Sequence, residues 1–215
     1  MRDLRERLLR VPALSVDDDP GWARPPATGG RHSAVLMLFS QGADPAGGPD
    51  VLLTERSRTL RSHAGQVSFP GGGLDPQDDG AVGAALREAT EETGLDPSGV
   101  EVIGVLPPIY LPPSRYVVTP VLAWWTTPTG VAPVDAAEVA SVVRAPLLEL
   151  ADPANRVMAR HPSGFVGPAF RVQGLYVWGF TAGLLARVLH LAGVELGWEA
   201  TPTEDLPDDV MALLP

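Results

Sequence analysis

Apolar and polar positions along this 215-residue chain repeat with two periods, and the local period assigns most of the elements. Residues 1 to 10 interleave charges with Leu4, Leu8 and Leu9, which predicts a short amphipathic helix. Residues 15 to 31, dense in Asp, Pro and Gly, read as an irregular lead-in. An apolar run of strand length at 34 to 39 is followed by a Gly-, Pro- and Asp-rich loop at 41 to 50 and a second strand at 51 to 54, together a hairpin with a loose tip. Strands follow near 100 to 106 and 117 to 125, then a mixed stretch up to Pro146 and a short helix at 146 to 151. Residues 175 to 192 close the chain as a helix, its stretch from Leu175 to Leu191 packing in the core.

The clearest helix is 80 to 93, GAVGAALREATEET, made of helix formers and followed by Gly94 as a C-terminal cap, with Asp78 and Asp79 available to cap its start. At about 100° per residue, Val82, Ala85, Leu86, Ala89 and Thr93 share a core face. Glu88, Glu91 and Glu92 gather about a third of a turn away, beside Ala81 and Ala84, whose small side chains leave space over the carboxylates. Like charges at these spacings repel by a few tenths of a kcal/mol per pair, so the cluster gains nothing unless cations bind it. A solvated acidic surface is the plain alternative. Strands on both sides of a central helix, with another long helix near the end, predict an α/β helix–sheet–helix sandwich around a mixed β-sheet. The expected division is an N-terminal helix and lead-in at 1–32, one domain at 33–195 and a C-terminal tail at 196–215.

Composition narrows the chemistry. A 45% hydrophobic and 20% charged chain has enough apolar residues for one substantial core. Its apolar stretches stop short of the roughly 18 to 20 residues that span a bilayer, and its N-terminus lacks the apolar segment of a leader. A cytoplasmic location without membrane contact is therefore expected. The absence of cysteine excludes disulfides, thiolate catalysis and cysteine-ligated metals. Oxygen ligands from 26 acidic residues instead suit Mg²⁺ or Mn²⁺. A net charge of −10 argues against broad binding to nucleic acid.

Ahead of the helix stands Phe69-Pro70-Gly71-Gly72-Gly73, where glycines let backbone groups come close to a metal or phosphate. Joined to Arg87-Glu88-Ala89-Thr90-Glu91-Glu92-Thr93-Gly94-Leu95, it resembles the Nudix box, Gx5Ex7REUxEExGU, with the small Ala89 at a position for a bulky aliphatic residue. Counted from Gly73 the first acidic position is Asp79; counted from Gly72 it is Asp78, and both registers stand. The resemblance implies a Nudix fold and metal-dependent cleavage of a pyrophosphate link. It implies a metal held by Glu88, Glu92 and Glu91 with Gly72, and Arg87 as the ion-pair partner that orients a helix glutamate. Nudix enzymes differ in which carboxylate activates water. Glu91 in the box and Glu138 on a later loop are the candidates, the plain reading of Glu138 being a surface glutamate before a buried valine.

A second signature precedes the box. Leu52-Leu53-Thr54-Glu55-Arg56-Ser57, then Arg61, Gly65 and Phe69-Pro70-Gly71-Gly72, resembles the LLTxRSx3Rx3Gx3FPGG motif of the coenzyme A pyrophosphatase branch. That resemblance implies hydrolysis of coenzyme A or its thioesters to adenosine 3′,5′-bisphosphate and a 4′-phosphopantetheine product. Arg56, Arg58, Arg61 and His63 concentrate positive charge beside the acidic site, and of these Arg56, Arg61 and His63 are taken as substrate-binding. Residues 114 to 121 and 177 to 182 resemble the branch's VTPV and WGxTA segments, with Arg115 where a glycine is common. Trp124, Trp125 and Trp178 read as core packing and His161 as a loop residue. The expected partner is a small CoA-like nucleotide, with a homodimer left open. Another nucleoside diphosphate derivative, such as ADP-ribose, NADH or an oxidised nucleotide, and a non-catalytic nucleotide-sensing module are the alternatives.

Overall fold

The two most apolar strands lie side by side. In the computed structural model, which describes residues 3–14, 29–42, 48–60, 62–112, 114–194, 197–198 and 201–214, β1 (Arg31–Ser40) runs parallel to β7 (Tyr116–Trp125) from Arg31↔Tyr116 to Ser40↔Trp125. Strands covered on both faces need apolar residues at consecutive positions, which is why neither strand alternates cleanly. Antiparallel β5 (Val100–Val105) and β6 (Ile109–Leu111) pair with β7. The expected hairpin forms, yet β2 (Asp50–Arg56) meets β1 only at Phe39↔Val51 and Ser40↔Asp50. It then diverges, pairing with β8 (Val139–Pro146) on one side and with β3 (Val67–Ser68) on the other. Into the fork runs the Phe69-Pro70-Gly71 segment: β4 (Gly71–Gly73) takes the edge of β1 at Ser33–Val35, and Leu36 N–H donates to Pro70 O at 2.8 Å. Eight strands thus form one mixed sheet.

Helix α3 (Gly80–Thr93) covers one face, its Ala84, Ala85 and Ala89 packing with Leu36, Leu38, Leu52, Val121 and Trp125. Alanines bring the helix close to the sheet. Ala84 is fully buried in that contact, so it belongs to the core face and does not leave space above the carboxylates. Gly94 closes α3 at φ 70°, its N–H donating to Thr90 O at 2.9 Å. Asp79 stands at the N-cap, but its side chain makes no capping bond. The other face of the sheet shares a core with α1 (Leu4–Leu8), α2 (Val11–Leu14), α4 (Leu147–Ala151) and α5 (Gly179–Leu191). The helix–sheet–helix sandwich is therefore present, with Trp124 and Trp125 buried in its two cores.

The expectations fail at the C-terminal end. Residues 175 to 177 are not helical but form β11 (Leu175–Val177), which pairs with β10 (Val166–Val172). Gln173 and Gly174, both at positive φ, make the two-residue turn that closes this hairpin, and Gly179 at φ 62° breaks the strand from the helix. Strands β9 (Arg156–Arg160) and β12 (Thr203–Asp205) complete a second, four-stranded sheet ordered β11-β10-β9-β12. The chain does not close on α5: β12 pairs in parallel with β9, and α6 (Asp208–Met211) follows. Residues 15–28, most of the lead-in, lie outside the described residues. Among the described residues no helix is long and apolar enough to cross a membrane.

Candidate active site

The fork between β1 and β2 places the glycine segment over the acidic face of α3. Gly71 N–H donates to Glu92 Oε2 at 3.1 Å, and a Cβ on Gly72 would lie 2.5 Å from the Glu88 carboxylate. A side chain at Gly72 would have to displace that carboxylate. Glu92 is 6% exposed. Burial pushes its carboxyl up to about 7, opposed by the Gly71 N–H and Arg56 and reinforced by the charges of Glu88 and Glu138. Burial also raises Glu88, against the pull of Arg87. The two carboxylates lie one helical turn apart, and the charge of the exposed Glu138 adds to theirs.

Arg87 organises the near side of these carboxylates. Its guanidinium donates to Asp78 Oδ1 and Oδ2 at 2.9 and 3.0 Å, to Glu88 Oε1 and Glu91 Oε2 at 3.0 Å each, and to the Gly73 carbonyl at 3.0 Å. The bidentate bond from Arg87 holds Asp78 below the usual carboxylate range. This selects one of the two registers: Asp78, not Asp79, is the acidic residue joined to the box arginine. Glu91 is on the same helix but turns outward, its side chain 59% exposed and tied to Arg87.

From the far side, Glu138 arrives on the loop after β7. Its carbonyl accepts the Ser57 N–H at 2.8 Å, which joins this loop to the tip between β2 and β3. Arg56, at the end of β2, faces Glu92, and its Nε is buried with no hydrogen-bond partner among the described residues. A family model described as the NUDIX domain matches residues 30–162, more than half of the chain.

The chain belongs to the Nudix family. Curated relatives agree: the "Uncharacterized Nudix hydrolase NudL" of Escherichia coli K12 is 41% identical over 178 residues, covering 77% of this chain and 84% of that protein. The protein of the same description from Citrobacter koseri is 40% identical over 177 residues, covering 76% and 84%. Among solved structures, a NUDIX hydrolase from Nitrosomonas europaea is 14% identical with a TM-score of 0.49, covering 84% of this chain and 82% of that one. This Nudix protein is thus a hydrolase acting on phosphoanhydride bonds.

Nudix hydrolases require divalent metal ions, and the residues of this one fit such an ion. Glu88 and Glu92 lie one helical turn apart beside the Gly71–Gly72 backbone, and the charge of Glu138 acts on both. Among the described residues no three His, Asp or Glu side chains converge on one point at ligand spacing.

The remaining expected residues spread along the tip after β2. His63, at φ 56°, bonds Gln66 Oε1 through Nδ1 at 2.8 Å and lines a hollow of about 210 Å³ with Arg58, Ser62 and Leu213. Arg58 lies 3.9 Å from Glu55 and 3.7 Å from Asp209. Arg61 lies outside the described residues. Arg115 occupies φ 58°, a left-handed turn between β6 and β7 that suits glycine. Trp178, expected in the core, is half-buried and stacks on His161 at 5.9 Å between centroids. Thr181 was missed: its hydroxyl donates to Val67 O at 2.9 Å, tying the start of α5 to β3. Its signal was the WGxTA segment itself.

Proposed function

We propose that this Nudix hydrolase cleaves the pyrophosphate of coenzyme A or its thioesters, giving adenosine 3′,5′-bisphosphate and a 4′-phosphopantetheine product. The observation that carries the reading is the tip after β2, where the 52–57 signature sets Arg56 against Glu92 and continues into Arg58, Arg61 and His63. A pyrophosphate with an added 3′-phosphate presents several anionic groups, and guanidinium forks match phosphate oxygens while keeping their charge.

Glu88 and Glu92 are the leading residues to hold Mg²⁺ or Mn²⁺, with Glu91 and the Gly72 carbonyl adding to the set. Such an ion neutralises phosphoryl oxygens and lowers the pKa of water. Arg56 would meet the phosphoryl oxygens with its guanidinium, and Arg87 fixes the direction of Glu88. Glu138 takes the proton of the attacking water as the P–O bond to the leaving phosphate breaks. Glu91 is the lesser candidate for that step because Arg87 holds it at the solvent edge. Incubating the protein with Mg²⁺ and, separately, coenzyme A, ADP-ribose, NADH and 8-oxo-dGTP tests the reading through the separated products. Coenzyme A should be turned over fastest, and Glu92→Gln should abolish most of that turnover. Equal turnover of all four, or none of coenzyme A, overturns the substrate assignment.

A further inference from the structure

The loop that carries Glu138 is laid along the end of α3. Ala132 N–H donates to Thr93 O at 3.0 Å and Val134 N–H to Glu92 O at 3.2 Å. At Asp135 the chain turns sharply: its Oδ1 accepts the Ala137 N–H at 2.8 Å, and its carbonyl accepts the N–H groups of Glu138 and Val139 at 3.0 and 2.9 Å. Any residue could supply the carbonyl, but only a short side chain with an acceptor oxygen makes the bond to the backbone two residues on. The turn ends where Glu138 O meets the buried Ser57, next to Arg56. A short bridge therefore runs from the backbone of Glu92 to that of Ser57, and its bend is set at Asp135. Glu138 is exposed, so packing does not fix its place.

We infer that Asp135 is a positioning residue: its carboxylate holds the 135–138 turn in the shape that delivers the Glu138 side chain to Glu88 and Glu92. The inference rests on the reading of Glu138 as the group that takes the proton of water. Asp135 acts only through Glu138, and the proton-accepting carboxylate must sit within hydrogen-bond reach of the water, where a displacement of about 1 Å can cost about a hundredfold in rate.

The test measures kcat and KM for hydrolysis of coenzyme A, or of whichever substrate of the panel is turned over, together with thermal unfolding. The variants are Glu138→Gln, Asp135→Ala, Asp135→Asn and the Asp135→Ala/Glu138→Gln pair. Asp135→Ala should lower kcat roughly tenfold or more with KM within about twofold, since substrate contacts remain. Asp135→Asn keeps an acceptor for the Ala137 N–H and should restore most of the rate, a recovery that distinguishes turn geometry from lost charge. The double variant should be no slower than Glu138→Gln alone. A slow Glu138→Gln beside a normal Asp135→Ala, a double variant with multiplied losses, or an Asp135→Asn as slow as the alanine variant each overturns the inference while leaving Glu138 in place. A normal Glu138→Gln removes the reading of Glu138, and the inference with it. Should Asp135→Ala melt below the assay temperature, all four variants are compared at a lower temperature at which it stays folded, with the same outcomes deciding.

Discussion

Glu92→Gln isolates the electrostatic strain that α3 carries. Its carboxyl is pushed up to about 7 by burial, whereas an ordinary glutamate titrates at 4.5. A folded-state pKa above the unfolded value means that the folded protein favours the protonated form. The associated stability is present below pH 4.5 and is lost as pH rises through about 7. At 1.36 kcal/mol per pKa unit, the raised pKa of Glu92 costs the metal-free fold about 3 kcal/mol at pH 8 and about 1 kcal/mol at pH 5, relative to an uncharged residue. Gln has the same shape, keeps an oxygen for the Gly71 N–H and carries no charge. In chelator, the variant should gain about 2 to 3 kcal/mol more over wild type at pH 8 than at pH 5. Denaturant unfolding of both proteins at the two pH values reads the difference directly. A gain that is equal at both pH values, or larger at pH 5, refutes the account of Glu92 as a buried like-charge site. With a divalent ion added, the gain at pH 8 should shrink, because the ion stabilises only the charged form.

Four further outcomes follow from individual residues. Arg87→Ala should lower kcat by about a hundredfold at unchanged secondary structure, because five charge-assisted bonds that align Glu88, Asp78 and the Gly73 carbonyl disappear together; steady-state kinetics with circular dichroism check it. Gly71→Ala would place a Cβ 2.3 Å from Ala34 O, a backbone atom that cannot turn aside, and should destabilise the fold by about 1 to 3 kcal/mol in a denaturant titration. Gly72→Ala meets the Glu88 carboxylate instead, a movable side chain, so it should lose turnover out of proportion to its loss of stability. Thr181→Val strips a buried bond from Val67 O and should cost about 1 to 3 kcal/mol, read as a lowered melting temperature.

What the sequence determined by itself was local. The 80–93 helix, its Gly94 cap, the apolar strands at 34–39 and 117–125, and the glutamates one turn apart all follow from periods and turn chemistry that need no distant partner. The paired motifs carried the family and the reaction class for the same reason, since each is a contiguous run. Several features depended on contacts between distant segments. The Asp78 register was decided by a guanidinium that reaches across the loop. The burial of Ala84 depended on which side of α3 the sheet lies. The short strands β3, β4, β11 and β12 exist because a neighbour supplies their hydrogen bonds, and runs of two or three residues have too little period of their own to announce a strand. The influence of Glu138 and Arg56 on Glu92 is likewise tertiary: 46 and 36 positions separate them along the chain, and the fold brings their charges within range.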